Sequence, residues 1–333
     1  MDAYANGVDG AASPGKAYRF LTAFLRDNRG IIIALLLMVV TLSIISPVFL
    51  TKANILNVLR QVSTNALLAL GMTLVIILGG IDLSVGAVVA LSGALTVGAM
   101  STHGMGPVPA IAIGLIVGLL FGMANGAIIA FTKMPPFIVT MATMNIARGI
   151  AYVYTGGRPI RTRDAGFIDL GIGYLQGIPL PVIYTAAFII VVSLVLNRSV
   201  FGSHIYAVGG NREAARFSGI NISRVEILVY SICGFISAFA GVVLAARMTS
   251  GQPTVGIGFE LDAIAACVLG GVSMSGGLGR IGGSMIGALV IGIINNGLNL
   301  MNVNSFWQLI VKGLVILVAV YVDMLKKQKE HRS

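Results

Sequence analysis

The chain reads as a succession of long apolar runs separated by short polar or glycine-rich pieces. A membrane-spanning helix needs about 20 largely apolar residues to cross a hydrocarbon core of about 30 Å. Ten stretches come close: 30–50, 57–79, 83–100, 108–131, 137–155, 180–197, 225–246, 259–275, 282–300 and 305–323. Runs 57–79 and 259–275 are the weakest, because polar and glycine residues interrupt both. The pattern predicts an all-α, polytopic membrane protein of about ten transmembrane helices, forming one domain over 29–323. Small residues recur at every fourth position in three rows: Gly114, Gly118, Gly122 and Gly126; Gly86, Ala90, Ala94 and Gly98; Gly279, Gly283 and Gly287. Such rows let helix backbones approach closely in lipid and predict a compact bundle.

Three pieces fall outside the apolar runs. Residues 1–28 form a polar leader without a short apolar run followed by a small-residue cleavage site. Within it, Tyr18, Phe20, Leu21, Phe24 and Leu25 fit either an interfacial helix on the inner leaflet or a frayed leader. Residues 324–333 form a basic tail. Between the sixth and seventh runs, 198–224 holds a charged, helix-capable island with no catalytic residues of its own. Such an insert must face water, and it reads as a docking surface.

Charge chooses the side. With the N-terminus in the cytoplasm, 14 of the 22 Lys and Arg residues fall inside. That bias predicts N-in and C-in, as an even number of spans requires, and places the island in the cytoplasm. Arg158, Arg161 and Arg163, in the loop 156–179, run against the bias.

Composition agrees with a membrane protein and narrows the alternatives. The 333 residues are 56% hydrophobic and only 10% charged, where a soluble domain carries roughly 25% charged residues. The net charge of +10 is scattered at helix ends. It therefore reports membrane topology rather than nucleic acid. Cys233 and Cys267 both lie in apolar runs and read as core residues, not a disulfide or metal pair.

Acids are scarce within the runs. Asp82 sits at a glycine break, and Glu260 with Asp262 opens the eighth run. A charge at the centre of a membrane helix costs roughly 2.5–3.5 kcal/mol, so these residues should face the bundle interior or a cavity. Asp82 and Asp262 fit helix N-caps and structural pairing, or contact with cargo. Arg148 lies near the outer end of its run, as Asp262 does, and a buried pair between them is expected. Asn65, Asn125, Asn145, Asn295 and Asn299, with Thr64 and Asn296 beside them, fit interhelical hydrogen bonds or a wet path for a neutral, polyhydroxylated cargo. The pieces 80–86 and 259–263 share a break, an acid and a small-residue helix, outlining an inverted repeat of the transporter kind. No H-E-x-x-H, Cys/His cluster or G-x-x-x-x-G-K-[ST] occurs. No catalytic residue, metal site or nucleotide site is expected on this chain, nor a buried His/carboxylate chain for a proton relay.

Four motifs together carry a resemblance. They are GMTLVI at 71–76 with GGIDLSVG at 79–86; AVGGN at 207–211 with AARFSGIN at 214–221; ELDAIAA at 260–266 leading to LGG at 269–271 and GGLGR at 276–280; and NNGLNL at 295–300. The chain resembles the permease subunit of ribose-type ABC sugar importers from about residue 29 to 323. The resemblance implies a multi-pass permease of the bacterial inner membrane that moves a monosaccharide such as ribose. It implies a cytoplasmic ATPase subunit carrying the ATP and Mg, a periplasmic sugar-binding protein, and a second or homologous permease in the same bilayer. It implies no nucleic-acid partner. Gly209, Gly210, Asn211, Arg212, Glu213, Ala214, Ala215, Arg216, Ser218 and Gly219 then match the family's ATPase-coupling loop. Arg212, Glu213 and Arg216 would be its contact charges, and Phe217 stands where leucine is commoner. Importers of this architecture for a nucleoside, a furanone or a branched-chain amino acid are the nearest alternatives. A secondary transporter would instead need an ion site and no docking helix.

Overall fold

A computed structural model describes residues 29–304, together with 306–311, 313, 314, 317, 318 and 321. The leader, with its interfacial-helix reading, and the tail 324–333 lie outside the described residues. Helix α1 (Arg29–Ile45) stops just ahead of Pro47, whose ring disfavours helical backbone in the residue before it. Helix α2 (Lys52–Ile77) starts on Thr51, whose hydroxyl accepts the Asn54 N–H. This cap moves its start ahead of the expected residue 57. Helix α3 spans Val85–Ser101. Helices α4 (Pro107–Thr132) and α5 (Pro136–Thr155) both open on proline, which lacks an N–H and suits a first turn.

The basic loop at 156–179 is more structured than its sequence suggests. It holds β1 (Ile160–Arg161), α6 (Ala165–Ile172) and the hairpin β2 (Tyr174–Leu175) with β3 (Ile178–Pro179). Helix α7 (Leu180–Arg198) follows, then α8 (Val200–Gly210), α9 (Arg212–Phe217) and α10 (Ile222–Arg247). Strand β4 (Ser250–Gly251) pairs antiparallel with β1, and α11 (Phe259–Leu269) and α12 (Ile281–Leu300) complete the set. The described residues of 306–321 are helical.

Among the described residues α2, α4, α7, α10 and α12 are long and apolar enough to cross a membrane, and α1 and α3 are shorter apolar helices. Ile44, Val108, Phe131 and Val153 point outward and are more than two-thirds exposed, as lipid-facing residues of a multi-pass membrane protein would be. The expected run 259–275 needs correction. Helix α11 has 11 residues and rises about 16 Å, short of a bilayer core of about 30 Å. It ends at Gly270 and Gly271, the latter at φ 81°. The irregular backbone on either side is partly buried: Pro253, Gly256, Val272 and Ser273 are buried, while Ile257 and Leu278 are exposed.

Two 26-residue helices, α2 and α10, form the centre. Helix α10 packs on α3 and α4, helix α2 packs on α11 and α12, and the two also touch each other. The glycine row on α4 makes one of these contacts possible. A side chain at Gly122 or Gly126 would run into the α10 backbone at Tyr230 or Ile227. Asn296 serves as interhelical glue: its amide and that of Asn54 exchange hydrogen bonds of 2.9 and 3.1 Å. Cys233 and Cys267 are free and buried.

Candidate functional site

At one end of the bundle the chain turns through α8 and α9. Asn211, in extended backbone, joins the two helices and caps α9 by accepting the Ala214 N–H at 2.9 Å. Gly219 ends the turn at φ 81°, where glycine is favoured. Ala215 is buried, and the Ser218 hydroxyl donates back to the Ala214 carbonyl. Gly209 lies so close to the Ile77 carbonyl that any side chain there would collide with it. The same carbonyl accepts the Gly277 N–H at 2.8 Å. The end of α2, the end of α8 and the loop before α12 therefore meet at one glycine-lined point. Tyr206 fastens it by donating to the Gly279 carbonyl at 2.8 Å. Burial raises the pKa of this phenol against an opposing pull from Arg280, keeping it a neutral donor.

Arg212 has a partner within the chain. Its guanidinium pairs with Glu226 on α10 at 2.5 Å; its side chain is 50% exposed and that of Glu226 only 3%. Arg212 thus supplies the partner that a buried carboxylate needs, while half of its side chain stays exposed on α9. Glu213 and Arg216 are exposed, and so is Phe217, at 87% the most exposed large apolar side chain among the described residues. A groove of about 570 Å³ runs beside α9, between these charges and the turn at Lys133, Met134 and Pro135.

Glu226 was not singled out from sequence, since its partner lies 14 residues earlier across a loop. It begins a buried polar line. Tyr230, one turn along α10, places its hydroxyl against Gly80, where a side chain could not fit. Asp82, also buried, accepts the Ser84 N–H at 2.9 Å and the Ser84 hydroxyl at 2.6 Å. Asn125 donates to that hydroxyl at 3.0 Å. Ser84, not Asp82, occupies the N-cap of α3, and Gly258, not Asp262, that of α11. The capping expectation fails for both acids. Asp82 instead closes a turn two residues ahead of its helix.

The other candidates lie towards the β1–β4 end. Arg148 donates to the carbonyls of Pro253 and Val255, each at 2.6 Å. The expected pair with Asp262 does not form, because two convergent carbonyls of the loop before α11 hold the guanidinium. Glu260 accepts the Gly258 N–H at 3.2 Å. Asn145 is exposed on α5 and donates back to the Met141 carbonyl of its own helix, apart from the other candidates. A small polar pocket of about 140 Å³ brings together Asn65, Asp262, Asn295 and Asn299, with Gln61, Thr64, Arg247 and Gln308 completing its polar lining. The candidates thus divide into this pocket, the buried group at Asp82 and Asn125, the Arg148–Glu260 loop contacts and the isolated Asn145.

Residues 54–320 match the family model described as branched-chain amino acid transport system / permease component. The chain belongs to this permease family. Among its curated relatives, the ribose import permease protein RbsC of Bacillus subtilis (strain 168) is 52% identical over 299 residues, 89% of this chain and 92% of the relative. RbsC of Escherichia coli (strain K12) is 44% identical, covering 94% and 98% of the two chains. The L-arabinose transport system permease protein AraH of the same strain is 37% identical, covering 98% of each. No solved structure matches the chain. As a family member the protein is a transport subunit rather than an enzyme. The glycine-rich loop 270–277 makes no phosphate cradle: the N–H groups of Gly271, Gly276 and Gly277 are bonded to Val268, Ser273 and Ile77.

Proposed function

We propose that the protein is the membrane permease subunit of an ATP-driven importer of a monosaccharide, a pentose such as ribose, in the bacterial inner membrane. The observation that carries the proposal is the α8–α9 segment: an exposed helix face with Glu213, Arg216 and Phe217, fastened by Arg212 and Gly209 to α10 and α2. The names of the ribose and arabinose relatives support the cargo class. The segment spanning Gly209 to Gly219 is the coupling loop, seated on a cytoplasmic ATPase that holds ATP and Mg. A periplasmic sugar-binding protein delivers cargo to the other face, and a second permease, identical or homologous, completes the path.

In this reading the chain crosses the bilayer ten times, N-in and C-in. Helix α11 with its irregular flanks makes one crossing, and the segment 305–323 makes the last. The reciprocal packing of α2 on α11 and α12, and of α10 on α3 and α4, supports an inverted repeat. ATP closes the ATPase pair and moves α9. Arg212 passes that motion to Glu226 and α10, and Gly209 passes it to the end of α2. Each ligand shifts the equilibrium between outward-open and inward-open states only through its differential affinity for them: ATP inside, the loaded binding protein outside.

The test is charge reversal on the exposed face. Glu213→Lys with Arg216→Glu should leave the permease folded and abolish copurification with the ATPase. Survival of both copurification and transport would contradict the docking assignment. The family description favours one second reading, a branched-chain amino acid cargo. Competition of uptake by L-leucine but not by D-ribose would establish it instead.

A further inference from the structure

We infer that the pocket between α2, α10, α11 and α12 is a cargo subsite for one neutral polyol of about pentose size, read by Thr64, Asn65, Asn295 and Asn299. This rests on the importer reading, and it deepens that reading by placing recognition of the solute in the permease as well as in the binding protein.

Size comes first. The pocket volume is about 140 Å³, space for about four or five waters at roughly 30 Å³ each, and well below the roughly 300 Å³ at which drug-sized pockets begin. A volume of this size matches one small solute.

The second observation is unspent hydrogen-bonding capacity. Buried polar groups are almost always bonded. Thr64 is 5% exposed and Asn65 6% exposed, yet neither side chain makes a hydrogen bond among the described residues. The Asn295 carbonyl oxygen is buried without a partner, and its amide reaches Asp262 only at 3.5 Å. Across the pocket Asn299 spends its oxygen on Gln308 at 2.9 Å. The unspent groups include a hydroxyl and two amides that combine donors and acceptors. A sugar hydroxyl, itself donor and acceptor, complements such a set.

The third observation is charge. The lining holds one cation, Arg247, and one acid, Asp262. Arg247 is bonded to Asn57 at 3.0 Å, and Asp262 has partners of its own. The apolar lining is confined to Leu244 and Phe259, little cover for a branched aliphatic side chain. The small apolar lining favours a polyol over a branched aliphatic amino acid.

The experiment uses the full-length permease in nanodiscs. Cys233 and Cys267 are both buried and should not label. Thr64→Cys and Asn65→Cys are reacted separately with a small water-soluble maleimide, and His103→Cys serves as an exposed control. D-ribose or L-arabinose at tens of millimolar should slow labelling at 64 and 65 severalfold and leave 103 unchanged, while L-leucine should do nothing. In the reconstituted importer, Thr64→Val with Asn65→Leu should cut pentose uptake about tenfold, the worth of one or two hydrogen bonds, with ATPase copurification intact. Cysteines at 64 and 65 that never label, or that no pentose protects while the wild-type importer transports pentose, would overturn the subsite and leave the importer reading standing. Protection by L-leucine alone would overturn the polyol assignment. Failure of the wild-type importer to move any pentose would overturn the sugar reading itself, and the subsite with it.

Discussion

Two breaks in the helical path lie beside acids of the apolar runs, one ahead of α3 and one ahead of α11, and they are built to opposite ends. The first is short and closed: Gly79 reverses the chain at φ 91°, and Asp82 folds back onto Ser84. Its neighbours are Gly276, Tyr230 and the Gly209 contact with Ile77. The second is long, carries β4 and two left-handed glycines, Gly256 and Gly258, and leads into a helix of only 11 residues. Its carbonyls are held by Arg148, and Asp262 beyond it lines an accessible pocket. The difference teaches a division of labour. A closed break packed against the proposed docking segment would transmit motion, because tightly packed elements move together. A break that leaves room beside it would supply a place for the proposed solute.

The largest expected effect breaks the first side of this comparison. Gly209→Val puts a side chain into the Ile77 carbonyl, where only backbone can yield. Overpacking costs typically 1–3 kcal/mol and more against rigid backbone. Detergent-solubilised protein should lose several degrees of melting temperature and its ATPase together. Second in size is the asymmetry of the Arg212–Glu226 pair. Arg212→Ala strands a buried carboxylate and should cost about 2 kcal/mol, below the 3–5 kcal/mol of a fully buried pair because Arg212 is half exposed. Glu226→Gln leaves a cation that can turn to water and should cost less. The double variant should recover part of the loss, as a double-mutant cycle in thermal shift would read. The smallest effect lies at the second break. Arg148→Lys shortens the reach of the one nitrogen, Nη1, that donates to both the Pro253 and Val255 carbonyls and should cost about 1 kcal/mol. It should also loosen the loop before α11, seen as faster amide exchange at 253–258 with 207–211 unchanged. Equal loosening at both places would dissolve the contrast.

Much of this was legible in the sequence because apolar length, glycine rows and charge placement act locally. The helix-capable island, the glycine row of α4 and the asparagines of α2 and α12 all read from their spacing. What did not read depends on distant partners. Nothing in the residues around Glu226 announces Arg212, and nothing around Arg148 announces two carbonyls a hundred residues on. Helix α11 was overextended because its apolar composition continues past Leu269, while Gly270 and Gly271 stop the helix itself. Asp82 and Asp262 were expected as caps because each precedes a small-residue helix. Ser84 and Gly258 took those positions once the turns were drawn.

The central claim is that this chain carries solute only when a separate ATPase drives it from the α9 side. The direct test is uptake of radiolabelled D-ribose into proteoliposomes holding the permease, with partner ATPase, binding protein and ATP added or withheld one at a time. Uptake should require all three and ignore an imposed proton or sodium gradient. Ribose accumulation by the permease alone, driven by such a gradient, would contradict the account.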